Sequence, residues 1–402
     1  MNPAAFQTAE RSAEPTPEPC VFAFHGPQGA VRGWGAGRQV TPGSAATLAE
    51  RLDRHFASAR PGATIGGALP FDRSADDHLW QPQRVLRSAT PVAPTPGGAL
   101  ATGRWQTRAE PSAQDYARSV AAALDRLGIA DGAQVLRKVV LARTLAAEAE
   151  APIPVEAVLA RLSEDPTVTA YRVLLPDSPE HSPWTGRALV GATPELLVSK
   201  AGRQIASHPL AGSIPRQPAD PAADGAAAAR LAASDKDHRE HAIVVEYIMD
   251  LLAPLCRRLA CPAGTTLTQT RSMWHLGTRI EGELADPDMS SAVLAARLHP
   301  TPAVCGLPVD PAACLIRQLE PVARGFYAGA VGWCDSAGDG AWFVAIRCAD
   351  ICGPRARLFA GAGIVPGSDP QAEAAETGAK FRALLRALGL PEDAAAPEPA
   401  SH

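Results

Sequence analysis

FYAGAVGWCDSAGDGAWFVAIRCADI, residues 326–351, followed by ARLFAGAGIV at 356–365, is the stretch whose reading decides the fold class. Aromatic, β-branched and small residues alternate through both runs, and SAGDG at 336–340 is a small, polar join of the kind that closes a β-hairpin. Antiparallel strands are expected here. Downstream, SDPQAE at 368–373 opens a closing helix that Ser368 or Asp369 can cap, with Pro370 suited to the first turn. Upstream, a helical region is expected from about Pro221 to Leu259, with Ser234 and Asp237 spaced as a capping box for its second half. Before it lie the strands YRVLLP (171–176), ALVGATPELLVSK (188–200) and RQIASHPLAG (203–212). A helix from about Ser112 to Leu127 leads into the strand RKVVLARTLAA (137–147), and VEAVLARLSE (155–164) reads as another helix. CVFAFHG (20–26) and TIGGALPF (64–71) are short strand-like pieces broken by Gly and Pro. Strands mixed with long helices, without a regular βαβ beat, argue α+β rather than doubly wound α/β.

The 402 residues are 46% apolar and 20% charged, enough for a sizeable core in one large or two ordinary domains. A net charge of −4 offers no basic surface for nucleic acid or an anionic membrane. No apolar run approaches the roughly 20 residues that cross a bilayer. MNPAAFQTAERSAEPTPEP (1–19) lacks an apolar signal core. The eight cysteines are scattered without a CxxC pair, as expected of a reduced cytoplasmic protein with buried thiols. Residues 1–19 and the tail PEDAAAPEPASH (391–402) are rich in Pro, Glu and Ala, and both are expected to be disordered.

Of 38 basic residues only four are lysine, Lys138, Lys200, Lys236 and Lys380, leaving 34 arginines. Lysine can give up its proton and act as a base, which arginine cannot. Lys138 stands inside an apolar run, where an ammonium must be paired or lose its proton. Two helices repeat one acidic arrangement: Asp237 with Glu240, and Glu373 with Glu376. Three residues apart, each pair shares a helix face. Such pairs are either solvated faces or, taken together, hard oxygen ligands for Mg²⁺ with room for water and substrate. AGAGIVPG (360–367) has GxGxxxG spacing with no acidic residue at the right distance, which argues against a dinucleotide site, although its backbone can still hold a carboxylate.

RKVVLAR, VGATPELL, HPLAGSIPR, SDKDHREH, MWHLGTRIEG, LHPTPAVCG, RGFYAGAVGWCD, WFVAIRCA and LFAGAGIVPGSDPQAEAAETGAKF occur in an order that resembles the chorismate-utilising enzymes. That family includes isochorismate, salicylate and aminodeoxychorismate synthases and anthranilate synthase component I. The resemblance covers roughly 110–388, the expected chorismate-binding catalytic region, while 20–109 form an N-terminal part of the fold that matches only loosely. It implies a single large α+β domain, two stacked antiparallel β-sheets flanked by helices, with the site in the cleft between them. It also implies Lys138 as the base that activates water and Glu195 as the general acid. Glu240 and Glu376 would be Mg²⁺ ligands, with Asp237 and Glu373 acting on the metal through water. Gly212, Ser213, Ala303, Arg347, Gly361 and Lys380 would contact substrate, with His275 a further candidate.

Within the family, Lys138 stands where ammonia-adding members usually carry Gln. Ala211 replaces the nucleophilic Lys of the PIKGT pattern, and Ala303 replaces the Thr usual in salicylate synthases. All three point to an isochorismate synthase acting reversibly on chorismate; Tyr327 departs from the Phe of some such enzymes. The alternatives are a salicylate synthase, which also expels pyruvate, and a non-catalytic chorismate-binding paralogue. A monomer without a glutamine amidotransferase subunit is expected. The product would feed siderophore and 2,3-dihydroxybenzoate, salicylate or menaquinone synthesis. The chemistry asks for a neutral amine and a protonated carboxyl, the reverse of their usual states at neutral pH.

Overall fold

A computed structural model describes residues 18–90, 103–128, 130–131, 134–177 and 186–395. Its two large sheets are antiparallel at every pairing. The first has ten strands and is centred on Lys138–Ala149, Arg355–Ile364, Cys348–Cys352 and Ala188–Thr193. The second has nine, centred on Leu196–Ala201, Gly340–Val344 and Ala330–Asp335. A third, three-stranded sheet joins Leu210–Pro215, Met273–Thr278 and Thr265–Gln269.

Residues 20–88 complete both large sheets and form no separate unit: Cys20–Gly26 pairs with Thr169–Leu174 in the first, and Thr64–Leu69 with Ala330–Asp335 in the second. Phe24 of the first sheet stacks on Phe343 of the second, their ring centres 6.2 Å apart. The facing sheets approach closely where a Cβ on Gly66 would lie 2.6 Å from the Phe22 ring. A second apolar layer covers the outer face of the first sheet. Phe381, Leu384, Leu385 and Leu388 fall on one face of the helix Pro370–Leu388 and bury with Leu145, Val190 and Leu358.

The expected hairpin closes as read, with Ala330–Asp335 running into Gly340–Val344. The next pair, Cys348–Cys352 and Arg355–Ile364, belongs to the other sheet, so the chain changes sheets between Val344 and Cys348. Two runs read as single strands break in the same way. ALVGATPELLVSK divides around Pro194 into strands of the two large sheets, and RQIASHPLAG divides at Pro209. Proline offers no N–H to a ladder, so each sheet ends there.

The expected helix to Leu259 is corrected to two helices, Pro221–Ala232 and Asp235–Leu252, followed by a 3-10 turn and an edge strand, Cys256–Ala260. Pro254 stops the helix. Ser234 caps the second helix by accepting the Asp237 N–H at 3.2 Å, and Asp369 caps the last by accepting from Ala372 at 2.7 Å. Residues 391–395 correct the expected start of the C-terminal tail: the Ala395 carbonyl accepts from Arg143 Nη2 at 3.1 Å, and Ala395 is buried. Residues 1–17 and 396–402 lie outside the described residues.

Candidate active site

The sheet changes place side chains in one cavity between the sheets. Glu195 stands where the chain passes from Ala188–Thr193 to Leu196–Ala201, and Arg347 where it passes from Gly340–Val344 to Cys348–Cys352. Arg347 adopts φ 51, a left-handed conformation that a long side chain takes only when its surroundings hold it there. Its guanidinium is buried, and that burial lowers its pKa from the ordinary value.

Glu195 is 3% exposed. Burial pushes its carboxyl up to about 8, against the opposing pull of the Leu210 N–H, Lys138, Arg347 and Lys380. Of the seven protein groups that the sequence reading ties to substrate, Gly212, Ser213, His275, Ala303, Arg347, Gly361 and Lys380 all line the same cavity. Gly212 has φ +75, and a Cβ there would lie 2.9 Å from the Asp237 Cβ, so glycine is required on both counts. His275, opposite Ser213 on the neighbouring strand, is kept neutral by burial and by Arg347 and Lys380, and its Nε2 has no hydrogen-bond partner among the described residues.

Lys138 opens its strand with a side chain that is wholly buried. It is not among the residues that line the cavity and meets it through Glu240. Nζ lies 3.0 Å from Glu240 Oε1, too far off axis for a hydrogen bond, and has no other polar partner among the described residues. Gly363 makes room for the pair: a Cβ there would sit 2.2 Å from Glu240 Oε1 and 3.1 Å from Lys138 Cε.

The acidic residues gather where two helix N-termini meet the cavity. Asp237 and Glu373 lie in first turns, and Glu240 and Glu376 follow them into the pocket. The positive helix ends favour anions there. Burial raises Asp237, aided by Glu240 and Glu376, and raises Glu373, aided by Glu376. Burial would raise Glu376 too, but Lys380 at 2.7 Å and the Ser213 hydroxyl at 2.8 Å bring it below its ordinary value. Lys380 also donates to the Gly361 carbonyl at 2.8 Å.

These carboxylates fit a hard cation by donor chemistry. Among the described residues no three acidic, His or Cys side chains already stand as a metal cluster. Magnesium does not need one, since it is commonly held by one or two carboxylates and completed by water and substrate oxygen. Glu240 and Glu376 each spend Oε1 on a lysine.

Two residues of the cavity carried little weight in the sequence. Lys236 pairs with Glu373 at 3.1 Å, and its rarity as a lysine was the available signal. Phe359 stacks under Tyr327 at 4.7 Å, which no motif announced. His241 bonds Thr278 Oγ1 at 2.7 Å and is pushed down to about 4 by burial.

A cavity lined by Glu195, which burial pushes up to about 8, and by four further carboxylates, one of them paired with the buried Lys138, has the groups of an acid–base enzyme. The chain belongs to the chorismate binding enzyme family, whose model matches residues 73–389. It is 42% identical over 344 residues to isochorismate synthase DhbC of Bacillus subtilis, covering 85% of each chain. To the putative isochorismate synthase MenF of Mycobacterium tuberculosis it is 44% identical, over 93% of this chain and 97% of the relative. The crystal structure of a putative 2,3-dihydroxybenzoate-specific isochorismate synthase, DhbC from Bacillus anthracis, superposes with a TM-score of 0.84 at 36% identity, covering 92% of this chain and 97% of that one.

Proposed function

We propose that the protein is an isochorismate synthase in which Lys138 and Glu195 are base and acid. The observation that carries the assignment of roles is a carboxyl held up to about 8 by burial in a cavity whose Glu240 pairs with the fully buried Lys138. Simple binding of chorismate needs neither group. Ala211 and Ala303 favour the same member of the family, since they leave no nucleophilic amine or threonine at those positions.

Water bound beside Lys138 gives its proton to the neutral amine as its oxygen attacks C2 of chorismate. The ring π electrons shift and the C4–O bond breaks. Glu195 donates its proton to the departing oxygen, which leaves as water. Substrate and product differ only in hydroxyl placement, so the reaction runs both ways. Arg347 offers a planar fork to a substrate carboxylate, and Lys380 adds a second cation. Glu240 and Glu376 would hold Mg²⁺, which supplies positive charge for the ring carboxylate. The product is a precursor for siderophore, salicylate or menaquinone synthesis.

Product analysis of chorismate with Mg²⁺ tests the reading. Isochorismate without pyruvate is expected. Pyruvate in step with salicylate would make the protein a salicylate synthase, and no consumption of chorismate would leave a binding protein.

A further inference from the structure

Lys236 takes no part in the chemistry above, yet three of the chain's four lysines, Lys138, Lys236 and Lys380, pair with carboxylates of this one cavity. Its position is unusual in itself. It lies in the first turn of the helix Asp235–Leu252, where the positive end of the helix disfavours a cation. Its partner Glu373 lies in the first turn of the other helix, and the side chains are 35% and 5% exposed. Asp237 and Glu240 attract it as well. The pair therefore ties together the two helices whose next turn carries Glu240 and Glu376. One end is a buried carboxylate and the other an ammonium with access to water.

We propose that Lys236 is a positioning residue that competes with the divalent cation for the acid cluster, neutralising Glu373 and keeping four carboxylates gathered at some cost in cation affinity. The inference rests on the reading that the cation sits on Glu240 and Glu376. Competition between two cations for one cluster is reciprocal: whatever Lys236 takes from cation affinity, the bound cation takes from the Lys236–Glu373 pair. A lysine is suited to this because its flexible stem can withdraw the ammonium into water without disturbing the helix backbone.

The test uses the full chain as wild type, Lys236→Gln, Lys236→Arg and Lys236→Gln/Glu373→Gln. Calorimetric titration with MgCl₂ alone gives cation affinity, and melting in EDTA and in saturating Mg²⁺ gives stability. Lys236→Gln should bind Mg²⁺ roughly fivefold or more tightly, a coupling of ordinary size. It should melt lower in EDTA and recover most of the loss in Mg²⁺. Lys236→Arg should stay near wild type, and the double variant should lose the gain in affinity. An equal drop in melting temperature in both buffers with unchanged affinity would make Lys236 a plain structural tie, and weaker Mg²⁺ binding would make it a helper of the cation; either overturns the proposal. Lys236→Gln that folds only with Mg²⁺ supports it. Folding in neither buffer counts against it, because loss of a competitor must leave the cation-bound protein intact. Failure of the wild type to bind Mg²⁺ at all would instead remove the cation reading itself.

Discussion

The part of the cavity that carries Glu195 is built where strands change sheets, whereas the part that carries Glu240 and Glu376 is built from two helix N-termini laced with lysines. Glu195 and Glu376 are both carboxyls that burial alone would raise, yet one is pushed up to about 8 and the other falls below its ordinary value. Direct contact makes the difference. Glu376 has an ammonium at 2.7 Å and a hydroxyl at 2.8 Å. Glu195 has one backbone N–H and charges that act from further away. Burial sets the direction only until a donor reaches the oxygen itself. One cavity can thus hold one carboxyl raised to about 8 beside another brought below its ordinary value.

The largest effect should come from the amine that faces the helix ends. Lys138→Ala, and equally Lys138→Gln, should lower chorismate turnover about a thousandfold or more, the upper range for a positioned base. Far-UV circular dichroism should stay that of the wild type. Near-wild-type isochorismate formation by either variant would remove Lys138 from the chemistry.

Glu195→Gln should cost on the order of 10² to 10³ in turnover, and its pH behaviour sharpens the contrast with Glu376. In the wild type, kcat/KM should fall as pH rises through about 8, because the acid loses its proton there. Stability should follow the same group. Its folded value of about 8 lies above the ordinary 4.5, so between those pH values the folded chain holds a proton that the unfolded chain has released. Stability therefore declines as pH rises from about 4.5 to about 8, by a few kcal/mol at about 1.4 kcal/mol per unit. The glutamine has no such cost: Glu195→Gln should melt above the wild type at pH 8 and together with it near pH 4.5. A variant that melts lower at both would show that the carboxyl is not held protonated.

A smaller loss should follow from crowding the Lys138–Glu240 pair without touching either residue. Gly363→Ala introduces a Cβ 2.2 Å from Glu240 Oε1, at a backbone conformation alanine accepts. Displacing the carboxylate should cost about ten- to a hundredfold in turnover, in line with misplacement of a group near the reacting atoms. Gly378→Ala is the control in the last helix, since its Cβ would meet nothing closer than Arg143 Nη2 at 3.6 Å. It should keep full turnover and melt slightly higher, by about 0.5–1 kcal/mol. Equal activity in both variants would show that the pair tolerates displacement.

The same contrast explains what could be read from the chain. The helix ends were legible because caps and acidic spacing are local: Ser234, Asp369, and the pairs Asp237 with Glu240 and Glu373 with Glu376 are short-range patterns. Glu195 and Arg347 could not be placed by pattern. ALVGATPELLVSK has the periodicity of one strand, and only Pro194 hints that its halves enter different sheets. The resemblance to a family supplied those residues, and the tertiary crossings explain why they meet. The Lys236–Glu373 pair spans 137 positions, so neither residue could announce the other. The helix past Leu252 was over-extended because the apolar period of Leu255 and Leu259 also suits an edge strand, and Pro254 decides between them.

Tyr327 is the site's remaining departure from some relatives' pattern, and its expected effect is the smallest. Its ring is buried and stacks on Phe359 at 4.7 Å with planes 12° apart, so packing fixes the side chain through its aromatic face. The hydroxyl lies where a Cβ on Gly361 would approach it to 2.9 Å, and no hydrogen bond to it is found among the described residues. Removing an unpaired hydroxyl while keeping the ring leaves the stacking intact and no polar group stranded. Tyr327→Phe should therefore keep turnover within about twofold and stability within about 1 kcal/mol. A loss of tenfold or more would mean that the hydroxyl, which belongs to the cavity lining, reaches substrate.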